Sequence, residues 1–176
     1  MQGSNDQSGP VLVLGGQRSG KSAFAEGLTL ASGLAPVYVA TARALDGEMR
    51  ERIARHRASR GDGWRTVEAP LDLAGALRAE AAPDRAVLVD CLTLWLTNLL
   101  LDDRDPAAAG EELCALLPRL PGSIVLVSTE VGQGIVPANA LARRFADAAG
   151  LLHQGVAAAS ARVAFVAAGL PLWLKG

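Results

Sequence analysis

The chain has 176 residues, of which half are hydrophobic and 4% aromatic, and its formal net charge is -1. This length suits one domain with a full core, and the charge argues against a nucleic-acid binder that depends on a large cationic surface. Two cysteines, Cys91 and Cys114, are too few for a disulfide framework and indicate free thiols in a reducing cytoplasm. We expect residues 1–9 to form a flexible tail and residues 10–176 one domain, with no secretory signal and no membrane span.

A glycine-rich stretch separates the first predicted strand, Val11 to Leu14, from a helix predicted over Lys21 to Ser32. It reads Gly15, Gly16, Gln17, Arg18, Ser19, Gly20, Lys21, Ser22, which is the spacing of a phosphate-binding P-loop. Its glycines let backbone N–H groups surround a polyphosphate, while the helix presents its positive end. Lys21 is predicted to contact the β- and γ-phosphates and Ser22 to bind Mg²⁺. The alternative is a glycine-rich turn with a chance lysine.

A second strand is predicted from Val37 to Ala40, and Thr41 and Ala42 follow at its carboxyl end. Ligands of open parallel sheets bind beyond the carboxyl ends of strands. Thr41 is therefore a candidate contact for phosphate or ribose, and an ordinary loop threonine is the equal alternative.

The next predicted helix, from Glu48 to about Ser59, is dense in cations and carries His56 among them. Neighbouring cations disfavour protonation of an imidazole, which leaves a lone pair free. A neutral imidazole beside a phosphate site is what nucleophilic attack on phosphorus requires. The alternative is a solvated basic face with a passive histidine. The arginines are Arg50, Arg52, Arg55, Arg57 and Arg60.

Two acidic residues follow predicted strands. Glu68 ends the run from Trp64 and is either a base or ribose contact or a surface carboxylate. Asp90 ends the apolar run from Ala86, where a P-loop protein places the carboxylate that orients Mg²⁺ beside the P-loop; the alternative is a helix cap. The helix after it, Thr93 to Leu101, is apolar all round, so part of it is predicted to face another subunit.

The remaining pattern predicts an α/β fold with a P-loop NTPase-like, mostly parallel sheet flanked by helices and a C-terminal hairpin. Glu130, in a glycine-bearing loop after a strand, is either a contact for substrate or the metal assembly or part of a structural turn. The predicted elements are an Asp72-capped helix Leu73 to Ala81, a helix Pro106 to Leu117, a strand Ser123 to Ser128, a helix Pro137 to Ala149 closed by Gly150, a helix Leu152 to Ser160, and a hairpin of Arg162 to Ala167 with Leu172 to Leu174.

Taken together, these stretches resemble the bifunctional adenosylcobinamide kinase / adenosylcobinamide-phosphate guanylyltransferase family of cobalamin biosynthesis. The matching stretches extend from residue 11 to the C-terminus and are far more specific than a P-loop alone. They are Gly15 to Ser22, Tyr38 to Ala42, Asp46 to Met49, Arg52 to Arg57 with Arg60, Trp64 to Glu68, Val89 to Leu96, Ser128 to Gly132, Gly134 to Pro137, Arg144 to Asp147 and Gly169 to Pro171.

The resemblance implies two reactions. ATP or GTP phosphorylates adenosylcobinamide, and GTP then donates GMP to that phosphate, giving adenosylcobinamide-GDP and pyrophosphate. In the family the second step passes through a guanylylated histidine, here matched by His56. The resemblance also implies a propeller-like homotrimer. The matched nucleotide-binding positions are Gly15 to Ser22, Ala40, Thr41, Ala42, Arg57, Ala58, Ser59, Arg60, Glu68 and Asp90.

Two departures from the family pattern stand out. Gly61-Asp62-Gly63 follows Arg60 where family members usually have proline, and His153-Gln154 stands where an Asn-Gln pair is usual. We expect His153 to be a surface or interface residue rather than a second nucleophile. The alternative functions are a plain P-loop small-molecule kinase and a GTP-switched binding module.

Overall fold

The computed structural model describes residues 9–43, 61 and 63–176. Within these ranges the strands are β1 (Val11–Gly15), β2 (Ala35–Ala40), β3 (Arg65–Glu68), β4 (Arg85–Asp90), β5 (Ser123–Thr129), β6 (Arg162–Ala167) and β7 (Leu170–Lys175). The helices are α1 (Lys21–Ala31), α2 (Leu73–Glu80), α3 (Leu92–Leu101), α4 (Pro106–Leu116) and α5 (Ala140–Ala159), and a 3₁₀ turn spans Leu117–Arg119.

The strands form one sheet in the order β3-β2-β4-β5-β1-β6-β7, parallel except for the antiparallel pair β6 and β7. The central strands are apolar runs because helices cover both of their faces. Leu12 on β1 packs in the cluster that α2 to α5 cover, whereas Val13 packs with α1 on the other face. The predicted mostly parallel α/β sheet and its C-terminal hairpin are confirmed.

Two predicted helix starts are confirmed by their capping bonds. The Asp72 side chain accepts a hydrogen bond of 2.8 Å from the Gly75 N–H, and Pro106 opens α4 after its Asp105 cap. These are local signals that satisfy the unpaired N–H groups of a first turn, so sequence reveals them directly.

The segment after residue 136 differs from its prediction. A single helix, α5, replaces the two predicted helices, and it begins at Ala140 with Asn139 as its cap. Gly150 lies inside this helix instead of closing it. A helical glycine costs only about 1 kcal/mol relative to alanine, and Ala149, Leu152 and Val156 are buried by packing on the rest of the fold. Tertiary burial therefore overrides the local break signal.

Most of the apolar surface of helix α3 is buried within the chain, and the prediction that part of it faces another subunit stays a prediction. Leu92, Trp95, Leu96 and Leu99 are each at most 3% exposed within the single chain, because α3 packs between the sheet and α5. Leu101, at 56%, is the exposed member. The apolar excess of α3 is thus mostly satisfied without a second subunit.

No helix in the described ranges is both long enough and apolar enough to cross a membrane.

Candidate nucleotide site

The predicted nucleotide contacts that fall within the described residues lie at one edge of the sheet, where the parallel strands end. Ala40 ends β2 and stands in register with Glu68 of β3 on one side and with Asp90 of β4 on the other. Gly15 ends β1 and opens the P-loop. This is the edge at which ligands of open parallel sheets bind.

The P-loop is packed against the C-terminal hairpin. The Gly169 N–H, in the turn between β6 and β7, donates a hydrogen bond of 2.7 Å to the Ser19 carbonyl. Gly20 has φ +93°, and a Cβ there would lie 3.0 Å from the Gly169 Cα. A Cβ on Gly15 would lie 2.5 Å from the Val166 carbonyl oxygen. Only glycine fits at these two positions, because the hairpin approaches the loop so closely.

The side chains of the loop differ in their surroundings. Gln17 and Arg18 are exposed, Gly16 is half-buried and Ser19 is buried. Lys21 and Ser22, both half-buried, begin α1, so they stand at the helix end that attracts anions. The Lys21 ammonium donates a hydrogen bond of 3.0 Å back to the Gly16 carbonyl. This bond joins the end of the loop to its beginning. This geometry is that of a phosphate cradle.

Asp90 ends β4, and β5 stands between this strand and β1, the strand that leads into the P-loop. Helix α1 packs on both β4 and β5, and this brings Lys21 near the end of β4. Burial raises the pKa of the neighbouring Cys91 thiol, Asp90 adds to that rise, and Lys21 opposes it. The lysine and the carboxylate therefore act on the same small region.

The Thr41 side chain is occupied by a structural contact. It is fully buried; its hydroxyl donates to the Cys91 carbonyl at 2.7 Å and accepts from the Cys91 N–H at 2.8 Å. It thereby ties the end of β2 to the start of α3. A nucleotide contact at Thr41 stays a prediction. Its N–H also donates, at 3.4 Å, to the Asp90 carbonyl, and the half-buried Ala42 follows it.

Further bonds fix the chain just after β2. The Asn98 amide, on α3, donates to the Thr41 carbonyl at 2.8 Å. The Arg43 guanidinium makes two hydrogen bonds, of 2.7 and 2.9 Å, with the Asp102 carboxylate at the end of α3. This ion pair raises the pKa of Arg43 and lowers that of Asp102. The described chain before residue 44 is thus anchored to α3.

The predicted nucleophile lies outside the described residues. So do the rest of the helix predicted from Glu48 to Ser59 and the matched contacts Arg57, Ala58, Ser59 and Arg60. The predictions for His56 and its cationic neighbours stay predictions.

His153 is buried, at 6% exposure, so the expectation of a surface position is wrong. The continuous helix α5 turns it toward β5. Its Nε2 lies 2.7 Å from the Ser128 hydroxyl oxygen, and its Nδ1 lies 3.7 Å from the Glu130 carboxylate. The other Glu130 oxygen accepts from the Gly132 N–H. These contacts favour the second alternative for Glu130, a residue that holds a structural turn.

Stability should depend on pH through His153. Burial lowers the pKa of this histidine below its ordinary value of 6.5, and Glu130 opposes the effect only in part. As pH falls, the histidine of the unfolded chain takes up a proton before the buried histidine does. The stability that depends on a neutral His153 is therefore fully present above pH 6.5 and is lost as pH falls below it. When the pH is lowered from about 7.5 to about 5.5, the free energy of unfolding, measured in urea, should fall less for His153→Gln than for the parent chain. Identical losses in the two proteins would contradict this.

The sequence offered little sign of two of these contacts. The approach of Gly169 to the P-loop requires β6 to lie beside β1, and the contact of His153 with Ser128 requires α5 to pack on β5. Both depend on strand order and helix packing. The one available signal was the departure at His153 from the family's usual asparagine.

A P-loop closed by its own lysine, at the carboxyl edge of a mostly parallel sheet, defines a P-loop nucleotide-binding protein. Residues 11–174 match the family described as cobinamide kinase / cobinamide phosphate guanyltransferase. The chain belongs to this family, as its sequence motifs implied.

Curated relatives support the same assignment. The chain is 58% identical to the bifunctional adenosylcobalamin biosynthesis protein CobP of Pseudomonas aeruginosa, over 94% of this chain and 96% of that protein. It is 41% identical to the bifunctional adenosylcobalamin biosynthesis protein CobU of Escherichia coli and 43% to that of Salmonella typhimurium, over 94% of this chain and 99% of each relative.

Among solved structures, the chain is similar to the P4 protein from bacteriophage phi6 in complex with ADP. The TM-score is 0.47 and the identity 17%, over 93% of this chain and 52% of that one, so the chain spans about half of that protein.

Proposed function

We propose that this protein is a bifunctional enzyme of cobalamin biosynthesis. It phosphorylates adenosylcobinamide with ATP or GTP and then transfers GMP from GTP to the resulting phosphate, giving adenosylcobinamide-GDP. The observation that carries the proposal is a complete P-loop, with Lys21 bonded across it to Gly16, in a chain that belongs to the cobinamide kinase / cobinamide phosphate guanyltransferase family.

The P-loop residues hold the triphosphate in both reactions. Backbone N–H groups from Gly15 to Ser22 surround the phosphates, and Lys21 stabilises the negative charge that grows in the transition state. The buried Ser19 hydroxyl makes no hydrogen bond within the described residues. An unsatisfied buried hydroxyl is unfavourable, and a phosphate oxygen is a partner that nucleotide binding would bring to the loop.

The residues present suit Mg²⁺. No group of three or more His, Cys, Asp or Glu side chains is placed to hold a metal within the described ranges. In nucleotide sites, however, Mg²⁺ takes most of its ligands from phosphate and water and only one or two from protein oxygens. The Ser22 hydroxyl and the Asp90 carboxylate are such oxygens, at the start of α1 and the end of β4. When bound there, the ion neutralises phosphate charge.

His56 is the proposed nucleophile of the second reaction. Its imidazole lone pair forms a bond to the α-phosphorus of GTP, while the bond from that phosphorus to the bridging oxygen breaks and pyrophosphate leaves. A phosphate oxygen of adenosylcobinamide phosphate then attacks the same phosphorus, and the phosphorus–nitrogen bond breaks to restore His56. Arg57 and Arg60 would balance phosphate charge near this histidine.

We further propose that the enzyme acts in the cytoplasm as a homotrimer. The trimer follows from the family resemblance. An apolar groove of about 370 Å³ between α3 and α5, lined by the exposed Leu101 and Leu141 among others, is a surface suited to a subunit contact. The free cysteines, Cys91 and Cys114, suit a reducing compartment.

Product analysis tests the proposed function. Incubation with adenosylcobinamide and ATP should yield adenosylcobinamide phosphate, and addition of GTP should yield adenosylcobinamide-GDP with one pyrophosphate for each molecule formed. A plain kinase would stop at the phosphate. A GTP-switched binding module would bind GTP and form neither product, and either of these outcomes would refute the bifunctional assignment.

A further inference from the structure

His153 contacts two residues at the carboxyl end of β5, one on each side of Thr129. Its Nε2 lies 2.7 Å from Ser128 Oγ, and its Nδ1 lies 3.7 Å from a Glu130 carboxylate oxygen. Residues two apart on a strand point to the same face, so one imidazole reaches both. The ring is held in place because α5, on which it stands, packs its buried residues over this part of the fold.

The strand end that His153 contacts is also the strand end that supports the P-loop. Ser128 and Thr129 stand in register with Leu14 and Gly15, the last residues of β1. The Glu130 N–H then donates a hydrogen bond of 3.0 Å to the Gly15 carbonyl. A displacement of residues 128–130 would therefore pass directly to the first glycine of the loop.

The ring makes these contacts while largely shielded from solvent. Ser128 is fully buried and His153 is 6% exposed, so neither is placed to act as a nucleophile. Glu130 is the charged group that acts on the His153 ring among the described residues. The ring is hydrogen-bonded to Ser128 and lies within ion-pair distance of Glu130, so it constrains the positions of both residues.

We propose that His153 is a positioning residue, which holds the end of β5 and thereby places the P-loop for catalysis. The role depends on the proposed function, since transfer is the activity that it supports. The proposal rests on geometry. The buried His153 side chain joins α5 to Ser128 and Glu130, the two residues on either side of Thr129, which pairs with Gly15 in the sheet.

The test compares three substitutions at His153 with a matched control. The Gln amide reaches the position of Nε2 and keeps the bond to Ser128, the Asn amide reaches only the position of Nδ1, and Ala reaches neither. For His153→Ala we expect kcat of both reactions to fall about ten-fold, while the Kd for GTP changes by less than about three-fold, because small displacements affect the transition state more than ground-state binding. His153→Gln should restore most of kcat, and His153→Asn should restore less.

Val156→Ala is the control for a general loss of packing. Val156 is fully buried on the same helix, about one turn from His153, and belongs to the main core cluster. At a temperature where circular dichroism shows both variants folded, Val156→Ala should be less stable than the parent chain but keep its kcat. If His153→Ala keeps its kcat as well, or if Val156→Ala loses as much kcat, His153 has no positioning role.

A double-mutant cycle adds an independent readout. Ser128→Ala should lower kcat by about the same factor as His153→Ala, and the double variant should be little worse than either single variant, because both remove one shared contact. Losses that multiply would contradict the proposal. A parent chain that forms neither product would instead refute the proposed function, so the two failures are distinguishable.

Discussion

Replacing His56 by alanine should abolish the covalent guanylyl intermediate and the formation of adenosylcobinamide-GDP. The imidazole is the proposed nucleophile, and alanine offers no atom that can bond to phosphorus. The kinase reaction should persist, because in it the substrate hydroxyl attacks the γ-phosphate directly. The measurement is incubation with α-labelled GTP, followed by acid and base treatment of the protein, since a histidine adduct is labile to acid and stable to base.

The chain itself provides the matched control, because it has two histidines. His153 is buried with its Nε2 against the Ser128 hydroxyl, so His153→Gln should still take up label at the end point. Acid-labile, base-stable label on His56→Ala would show that the nucleophile is a different residue. Loss of the kinase reaction together with the label would show that His56 serves the site as a whole.

Replacing Lys21 by alanine should impair both reactions, by at least about 100-fold in kcat/KM, the scale on which loss of one charge-stabilising donor acts. Lys21 stands at the start of α1 and closes the P-loop through its bond to the Gly16 carbonyl. Its removal takes away the positive charge that stabilises the phosphates and also a contact that shapes the loop. Separate kinase and guanylylation assays would measure the two losses.

Lys175→Ala is the comparison for Lys21. The Lys175 ammonium also bonds to backbone carbonyls, those of Ala157, Ala158 and Ser160 at the end of α5. Removing it should lower stability slightly and leave both reactions near parental rates. If Lys21→Ala impaired only the kinase, GTP would be guanylylating His56 from a second binding mode outside the P-loop.

The P-loop could be predicted from sequence because all of its determinants are local. Gly20 must adopt a positive φ, Lys21 must follow it, and an apolar strand and a helix must flank them. The caps Asp72 and Asp105 are local in the same sense. The strand ends at Ala40 and Asp90 were also visible, because buried parallel strands are continuous apolar runs that polar residues terminate.

The wrong predictions share a physical cause, which is that long-range packing outweighed a local signal. Gly150 is a local reason to end a helix, but the burial of residues on both sides of it keeps α5 continuous. His153 resembled a surface departure from the family pattern until α5 placed it against β5.

The sequence by itself determined the fold class, the phosphate cradle and the family, because these depend on residue order and spacing along the chain. Only the tertiary structure decided that β5 separates Asp90 from the P-loop strand, that the Gly169 turn supports Ser19, and that His153 contacts the strand end beside Gly15. Each of these joins residues that are distant in sequence. Which elements become neighbours depends on burying apolar surface over the whole domain, and no local pattern records that.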